Sequence, residues 1–380
     1  MQLSTRRSDS AGLRWTPFLL ICFAYLATTT GEAVLSPVYP VAADDIDLDL
    51  TRAGLAFAIL ATSIAVFNIA GGLLLRRQST RTVLTLAVLA TGVGALVAAT
   101  STGPTQFLSA QVLLGAGAGL LYPGAVMSVG TLGGSQRKGF AMAIFGVFFS
   151  GGLVLAAGLA ALGTQLDWRW SFGIAAVLAG LAAVSLQFVR DLPRAQSGGP
   201  VFAGLVAVLG IPTAVGVIGG ISQYATVSFL PIFAVDIWDS GEAAAAGILA
   251  VGRVLSVPAK LLSGHAADRH GPVKTARGVG VSLALLGLCW TLAPWVWVAA
   301  PAAIAFAAVV SALFPLANLL AFERVGSRGP ALGAFRSLQL GAGAVAGVVI
   351  GAAAEAIGLR PIVGLVSVLP LLLIFVRASD

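Results

Sequence analysis

The stretch Gly264-His265-Ala266-Ala267-Asp268-Arg269-His270-Gly271-Pro272-Val273-Lys274 lies between two long apolar runs and is itself polar and charged. A reversal this short between two apolar segments calls for turn formers, and Gly271-Pro272 supply them. Its charges are excluded from hydrocarbon, so the stretch marks a membrane surface. The apolar runs on either side are then expected to be spanning helices.

Composition agrees. Of 380 residues, 58% are hydrophobic and 10% charged, with 47 glycines and a net charge of +7; mean hydropathy is +0.97. A soluble chain carries roughly 25% charged residues. The positive charge does not indicate a nucleic-acid partner, because the basic residues sit singly or in pairs between apolar runs and form no basic face. The two cysteines, Cys22 and Cys289, fall in different apolar segments. They are read as small buried hydrophobes rather than as a disulfide or metal ligands.

Runs long enough to cross a ~30 Å core are read at 15–39, 53–75, 82–101, 105–131, 139–163, 170–189, 201–235, 243–263, 278–294, 297–321, 329–356 and 361–376. The seventh is too long for one straight helix and is expected to bend at Gly210 and Pro212 or at Gly219 and Gly220. With the N-terminus inside, sixteen lysines and arginines fall in inside loops and tails, against Arg52, Arg169 and Arg360 outside. That bias places both termini in the cytoplasm. Arg6-Arg7 before the first run resembles an export signal, but the run is longer than a signal core and is read as a retained helix. The least apolar inner connection, Arg190–Pro200, divides the chain into an N-terminal six-helix bundle at 1–195 and a C-terminal one at 196–380.

The halves repeat weakly. Gly72-Leu73-Leu74-Leu75-Arg76-Arg77-Gln78-Ser79-Thr80-Arg81 precedes the Gly264 run by 192 residues. Its glycine and Arg77 match, while Arg76 stands where Asp268 does and Ser79 where Gly271 does. The pattern G-x-x-x-D-R-x-G-P-x-K resembles the signature loop of the major facilitator superfamily. Two further runs are similar to that family: Asp167-Trp168-Arg169-Trp170-Ser171-Phe172 at the sixth segment, and the glycine-rich Leu114–Pro123 of the fourth. The resemblance implies an all-α membrane protein with twelve transmembrane helices in two pseudo-symmetric six-helix bundles around a central cavity, working by alternating access. It also implies a gating role for Gly264, Asp268, Arg269, Gly271 and Lys274 on the cytoplasmic face. Trp168 and Trp170 are read as interfacial anchors, and Arg169 as reaching headgroups or a helix end. The chain departs from the pattern at Gln111, where many proton-coupled members carry arginine, and at Ser150-Gly151-Gly152, where exporters often show Gly-Pro.

Ionisable groups inside spans mark function by default, because they are costly there. Glu32 lies in the first segment with Tyr25, Thr28, Thr29 and Ser36 at helical spacings, a polar stripe suited to a cavity wall. Burial and a neighbouring cation pull a carboxylate's proton affinity in opposite directions, which makes Glu32 the proton-coupling candidate; a static pair with an arginine is the alternative. Arg253 and Arg336, the latter on one face with Gln339 and Gly343, are candidates for an anionic group or for Glu32. Lys260 is expected to snorkel to the surface, and Glu355 to reach headgroups. Gln111 and Tyr122, Ser311 and Asn318, and Ser222, Gln223, Tyr224 and Thr226 add polar groups on segments that line the cavity in the resembled family. Gly343, Gly347 and Gly351 form a small-residue face for close packing.

A rival reading takes Asp44-Asp45-Ile46-Asp47-Leu48-Asp49 with Asp236 and Asp239 as a magnesium-diphosphate site of an intramembrane prenyl-transfer enzyme; twelve segments and the Gly264 loop have no place in it. The sequence therefore predicts a multi-pass protein of the cell membrane, not an enzyme. Its partners are the lipid bilayer, a small-molecule substrate and protons as the candidate coupling ion; neither cofactor, metal nor nucleic acid is expected, and the protein is read as a monomer. Ion-gradient-driven export of a small organic molecule comes first, and uptake or exchange of an organic anion second.

Overall fold

The computed structural model describes residues 14–35, 38, 42, 45–47, 50–134, 137–163, 166–189, 192–194 and 206–376. Among them every regular element is helical. The first bundle holds α1 (Trp15–Ala33), α2 (Leu50–Leu74), α3 (Thr80–Ala99), α4 (Pro104–Leu132), α5 (Lys138–Gly163) and α6 (Arg169–Gln187). The second holds α7 (Ile211–Trp238), α8 (Glu242–His270), α9 (Pro272–Leu292), α10 (Val296–Val310), α11 (Leu313–Val325), α12 (Gly329–Ile357) and α13 (Leu359–Val368), with a 3-10 turn at Leu369–Ile374.

Among the described residues, nine helices are long and apolar enough to cross a membrane, or ten with the bent α7. The pair α10–α11 counts as one such span, Val296–Val325. Of the twelve expected segments, the first falls short on hydropathy because it ends in Thr28-Thr29-Thr30-Gly31-Glu32, and the twelfth, Leu359–Ile374, is short. Prolines explain the breaks. Pro315 cannot donate to the Ser311 carbonyl, where α10 gives way to α11, and Pro231 cannot donate to Val227, where α7 bends by 46°.

The structure corrects the reading of the decisive stretch. It is not an eleven-residue loop: Gly264–His270 are the last two turns of α8, and α9 begins at Pro272. Ala266 and Ala267 favour helix, and Arg269 and His270 in the last turn suit the negative end of the dipole. The reversal is made by Gly271 alone, at φ +88°, followed by a proline that tolerates the first helical turn. The seventh segment starts later than expected, because Gly210 at φ +104° interrupts the chain just before α7.

Small residues set the packing, as they do where lipid removes the hydrophobic drive between helices. Glycines of α4 face two ways. A Cβ on Gly115 would lie 2.6 Å from the Leu60 carbonyl oxygen of α2, one on Gly119 2.6 Å from that of Ile64, and one on Gly117 2.7 Å from that of Ala87 in α3. The bundles meet along two crossings, α5 with α8 and α2 with α12. At the first, a Cβ on Gly139 would sit 2.5 Å from the Gly264 carbonyl oxygen; at the second, one on Gly72 would sit 2.6 Å from that of Gly329. Gly72 and Gly264 are the repeat-related pair, so the two crossings are equivalent. Both lie at the end that carries Gly271, here termed the loop face.

Further expectations change. Trp168 is 3% exposed and packs edge-on against Phe107 and Phe172 rather than standing in an interfacial belt, whereas Trp170 is 62% exposed. Arg169 reaches a helix end, one of the two places expected for it: its guanidinium donates to the Ser101 carbonyl just past α3 at 3.0 Å and pairs with Asp45 at 2.6 Å. Cys22 is buried but Cys289 is exposed on α9, so only one of the two is a core hydrophobe. Arg190, Asp191 and 195–200 of the expected linker, together with Ser36, Asp44 and Asp49, lie outside the described residues.

Candidate functional site

The polar stripe of α1 does not face lipid. Tyr25, Thr28, Thr29 and Glu32 line one small cavity of about 10 Å³ with Ile64 and Asn68 of α2, Ala118 and Tyr122 of α4, and Arg336 of α12. A space of that size holds about one water. Glu32 and Arg336 come from opposite bundles and share this cavity without a direct ion pair.

Arg336 is held in place from three sides. Its Nη1 donates to Gln339 Oε1 at 2.8 Å, and its Cζ lies 4.8 Å from the Tyr122 ring centroid and 4.5 Å from that of Phe314. Tyr122 in turn donates its hydroxyl to Asn318 Oδ1 at 2.5 Å. An aromatic ladder continues from Phe314: Phe149 stacks on it at 5.3 Å, Tyr25 on Phe149 at 5.7 Å, and Phe145 on Tyr25 at 4.1 Å. The guanidinium and the ladder tie α12, α11, α5, α4 and α1 together at one depth.

Around that cavity, buried hydrogen-bonding atoms stand without a protein partner: the Tyr25 hydroxyl, the Thr28 and Thr29 hydroxyls, and both amide atoms of Asn68. Buried polar groups are normally paired, because leaving one unmade costs about 1–3 kcal/mol. Five such atoms, three within little more than one turn of α1 and two on the facing α2, leave the lining with unused hydrogen-bonding capacity. Asn68 was not singled out in the sequence. Its only signal there is a lone amide in the apolar run of α2, one turn beyond Ile64. The ladder phenylalanines were also missed, since phenylalanine in a spanning segment is ordinary.

Several other candidates do not line that cavity. Gln111 is buried near the far end of α4, where its Nε2 donates to the Phe107 carbonyl at 3.2 Å. Tyr224 of α7 lies over Gly343 of α12, near enough to Arg336 and Glu32 to feel both charges, and Gln223 beside it is half-buried. Ser311, at the end of α10, donates its hydroxyl to the Ala308 carbonyl one turn back. Thr226 donates to the Ser222 carbonyl within α7. Arg253 is exposed in a separate cleft of about 690 Å³ between α5, α7 and α8. Lys260 does not snorkel. It is 3% exposed, and its Nζ donates across the bundle interface to the Gly146 carbonyl at 3.1 Å and to Ser150 Oγ of α5.

At the loop face, Asp268 accepts from the backbone N–H of Gly139 at 2.7 Å and of Phe140 at 2.9 Å, both in the first turn of α5. Those donors have no intrahelical partner, and a carboxylate suits the positive end of the dipole. Gly264, one turn before Asp268 on α8, provides the close approach that lets Asp268 reach them.

Two bundles that meet at one face, with a polar cavity between them at mid-depth, define a multi-pass membrane protein of the secondary transporter class. The sequence model of the Major Facilitator Superfamily matches residues 21–348, and the chain belongs to that family. Solved structures with the same fold include the fucose:proton symporter FucP of E. coli, with a TM-score of 0.80, 18% identity, and coverage of 94% of this chain and 97% of that one. The proton:xylose symporter XylE, solved with 6-bromo-6-deoxy-D-glucose, gives a TM-score of 0.76 at 15% identity over 97% and 96%. The human organic anion transporter MFSD10 gives 0.75 at 16% identity over 95% and 97%. No curated protein sequence matches the chain.

Proposed function

We propose that this protein is a proton-coupled transporter of a small, hydrogen-bonding organic molecule, which binds between Glu32 and Arg336 at the depth of Tyr25, Asn68 and Tyr122. The observation that carries the reading is the set of unpartnered buried polar atoms around those two charges. A space of about 10 Å³ admits no organic substrate, so the room must come from separation of the bundles, 1–195 from 196–380. Glu32 on one and Arg336 on the other are then parted and rejoined in every cycle. With substrate and proton competing for one cavity, the cycle is antiport, which with an inward proton gradient means export. The positive-inside bias supports a cell-membrane protein with both termini and the loop face in the cytoplasm. The pathway lies within one chain, which supports a monomer.

The test is paired, in proteoliposomes offered a metabolite panel. Glu32→Gln is expected to abolish accumulation driven by a pH gradient while sparing counterflow, because glutamine mimics the neutral acid. Full gradient-driven transport by Glu32→Gln would reduce Glu32 to a structural partner of Arg336. The sign of the gradient that drives accumulation separates antiport from symport, the second reading, which the likeness to two proton symporters favours.

A further inference from the structure

A second cavity is far larger than the one between Glu32 and Arg336. It is the cleft of about 690 Å³ lined by Leu153, Val154 and Ala157 of α5, by Pro231, Ile232, Val235 and Asp236 of α7, and by Ala245, Leu249, Ala250, Arg253 and Val254 of α8. It lies in the half of the membrane away from the loop face, where the bundles part, and its size falls within the ~300–1,000 Å³ of small-molecule pockets. Its walls are aliphatic. Val154, Ile232 and Val254 at its rim are exposed, so the cleft is open on that side. Two charges interrupt those walls, Arg253 and Asp236.

Arg253 is the unexplained group. Arg336 and Lys260 are both engaged by the protein, as described above. Arg253 has no hydrogen-bonding, ionic or ring partner among the described residues, Asp236 included. It sits in the apolar part of α8, the span Gly247–His270, six residues from that span's start, about 9 Å along the axis at 1.5 Å per residue. A guanidinium at such a depth is costly unless water or an anion meets it.

We propose that this cleft binds an amphipathic monoanion with a single aliphatic chain, entering from the lipid, whose carboxylate pairs with Arg253 while its chain lies along α5 and α8. A carboxylate matches the planar fork of the guanidinium. One cation with Asp236 in the same walls favours a single negative charge over two. The site is separate from the Glu32 cavity and does not rest on the transport reading given for it.

The probe is a long-chain fatty acid with a mid-chain diazirine, photolysed on the full-length protein in nanodiscs, with labelled residues mapped by mass spectrometry. Labels are expected to concentrate on Leu153, Val154, Ala157, Val235 and Leu249. Excess oleate should compete and uncharged methyl oleate should not. Arg253→Gln is expected to lower the yield at least tenfold and Arg253→Lys less. Ala157→Trp, which fills the cleft with the guanidinium intact, should lower it as much and decides the matter if Arg253→Gln does not accumulate. Equal labelling of Arg253→Gln and wild type overturns the proposal. So does even labelling of the lipid-facing Val177, Val184 and Leu285, which would show ordinary boundary lipid.

Discussion

Arg336 shows why residue type matters beyond charge. Its planar group lies against two rings and donates to Gln339, and an ammonium cannot reproduce that sandwich. Cation–π contacts of this kind contribute about 0.5–2 kcal/mol, and each 1.4 kcal/mol is roughly tenfold in affinity. Arg336→Lys is therefore expected to weaken substrate binding by about tenfold while keeping the charge. Equilibrium binding to the purified protein checks it, and an unchanged affinity would mean that only the charge counts. Asn68→Ala, which removes two unpartnered buried amide atoms, should leave folding intact but reduce affinity, because those atoms serve the guest and not the protein.

Among the elements, α12 separates glycines that look alike in sequence. A Cβ on Gly343 would overlap the Tyr224 ring, whereas one on Gly347 meets nothing within 4 Å and one on Gly351 only just touches Phe229. The expected smooth glycine face is thus a single seat for Tyr224. Gly343→Ala should destabilise by about 1–3 kcal/mol through overpacking, and Gly347→Ala should be neutral or slightly stabilising; thermal unfolding of the two variants compares them. At the opposite end, the connection before α2 is tied to α6. The Trp168 indole donates to Asp45 Oδ2 at 3.1 Å and Arg169 pairs with the same oxygen. These two hydrogen bonds, the indole's first, hold the Asp45 carboxyl below its ordinary value. A lowered native value makes this tie complete above about pH 4, the unfolded range, and lost as pH falls through the native value. The stability difference between wild type and Asp45→Asn should therefore be present at pH 6 and shrink toward zero as the pH drops below 4. A difference that persisted at the lowest pH would assign the tie to packing.

For the whole molecule, the loop face is shut by two equivalent glycine crossings, yet only one of them carries a carboxylate on a helix start. Asp268 bridges α8 to α5, while Arg76 stands at the related place in the turn after α2. We expect Asp268→Asn to shift the population toward the state open at this face, because a neutral amide loses the attraction to the α5 dipole and one of its two acceptors. The readout is alkylation of a cysteine placed at Ala143, which faces Gly264 across the closed crossing. Faster labelling in the variant is the expected result, and equal rates would show that glycine packing alone holds the face shut.

Much of this was legible in the chain. Long apolar runs separated by single charges have one stable solution in lipid, a bundle of spanning helices, since every backbone polar group must be satisfied internally. The stripe Tyr25, Thr28, Thr29, Glu32 was legible because helical spacing places these residues on one face whatever surrounds them. Local rules did not settle which cation meets which cavity. Arg253 and Arg336 read alike, each a lone arginine in an apolar run. Only packing of α12 against α4 and α11 brings Arg336 between Tyr122 and Phe314, and the parting of α5 from α8 leaves Arg253 facing an apolar cleft. Trp168, Lys260 and Asn68 were misplaced or passed over for the same reason: the partners of the first two lie 123 and 110 residues away, and the Asn68 amide has no partner among the described residues. Sequence by itself determined the solvent, the element type and the faces of single helices, which follow from periodicity and the cost of charge in lipid. The tertiary structure decided which faces oppose each other, because that depends on close approach at glycines such as Gly72, Gly139 and Gly264 and on contacts that no spacing within one helix encodes.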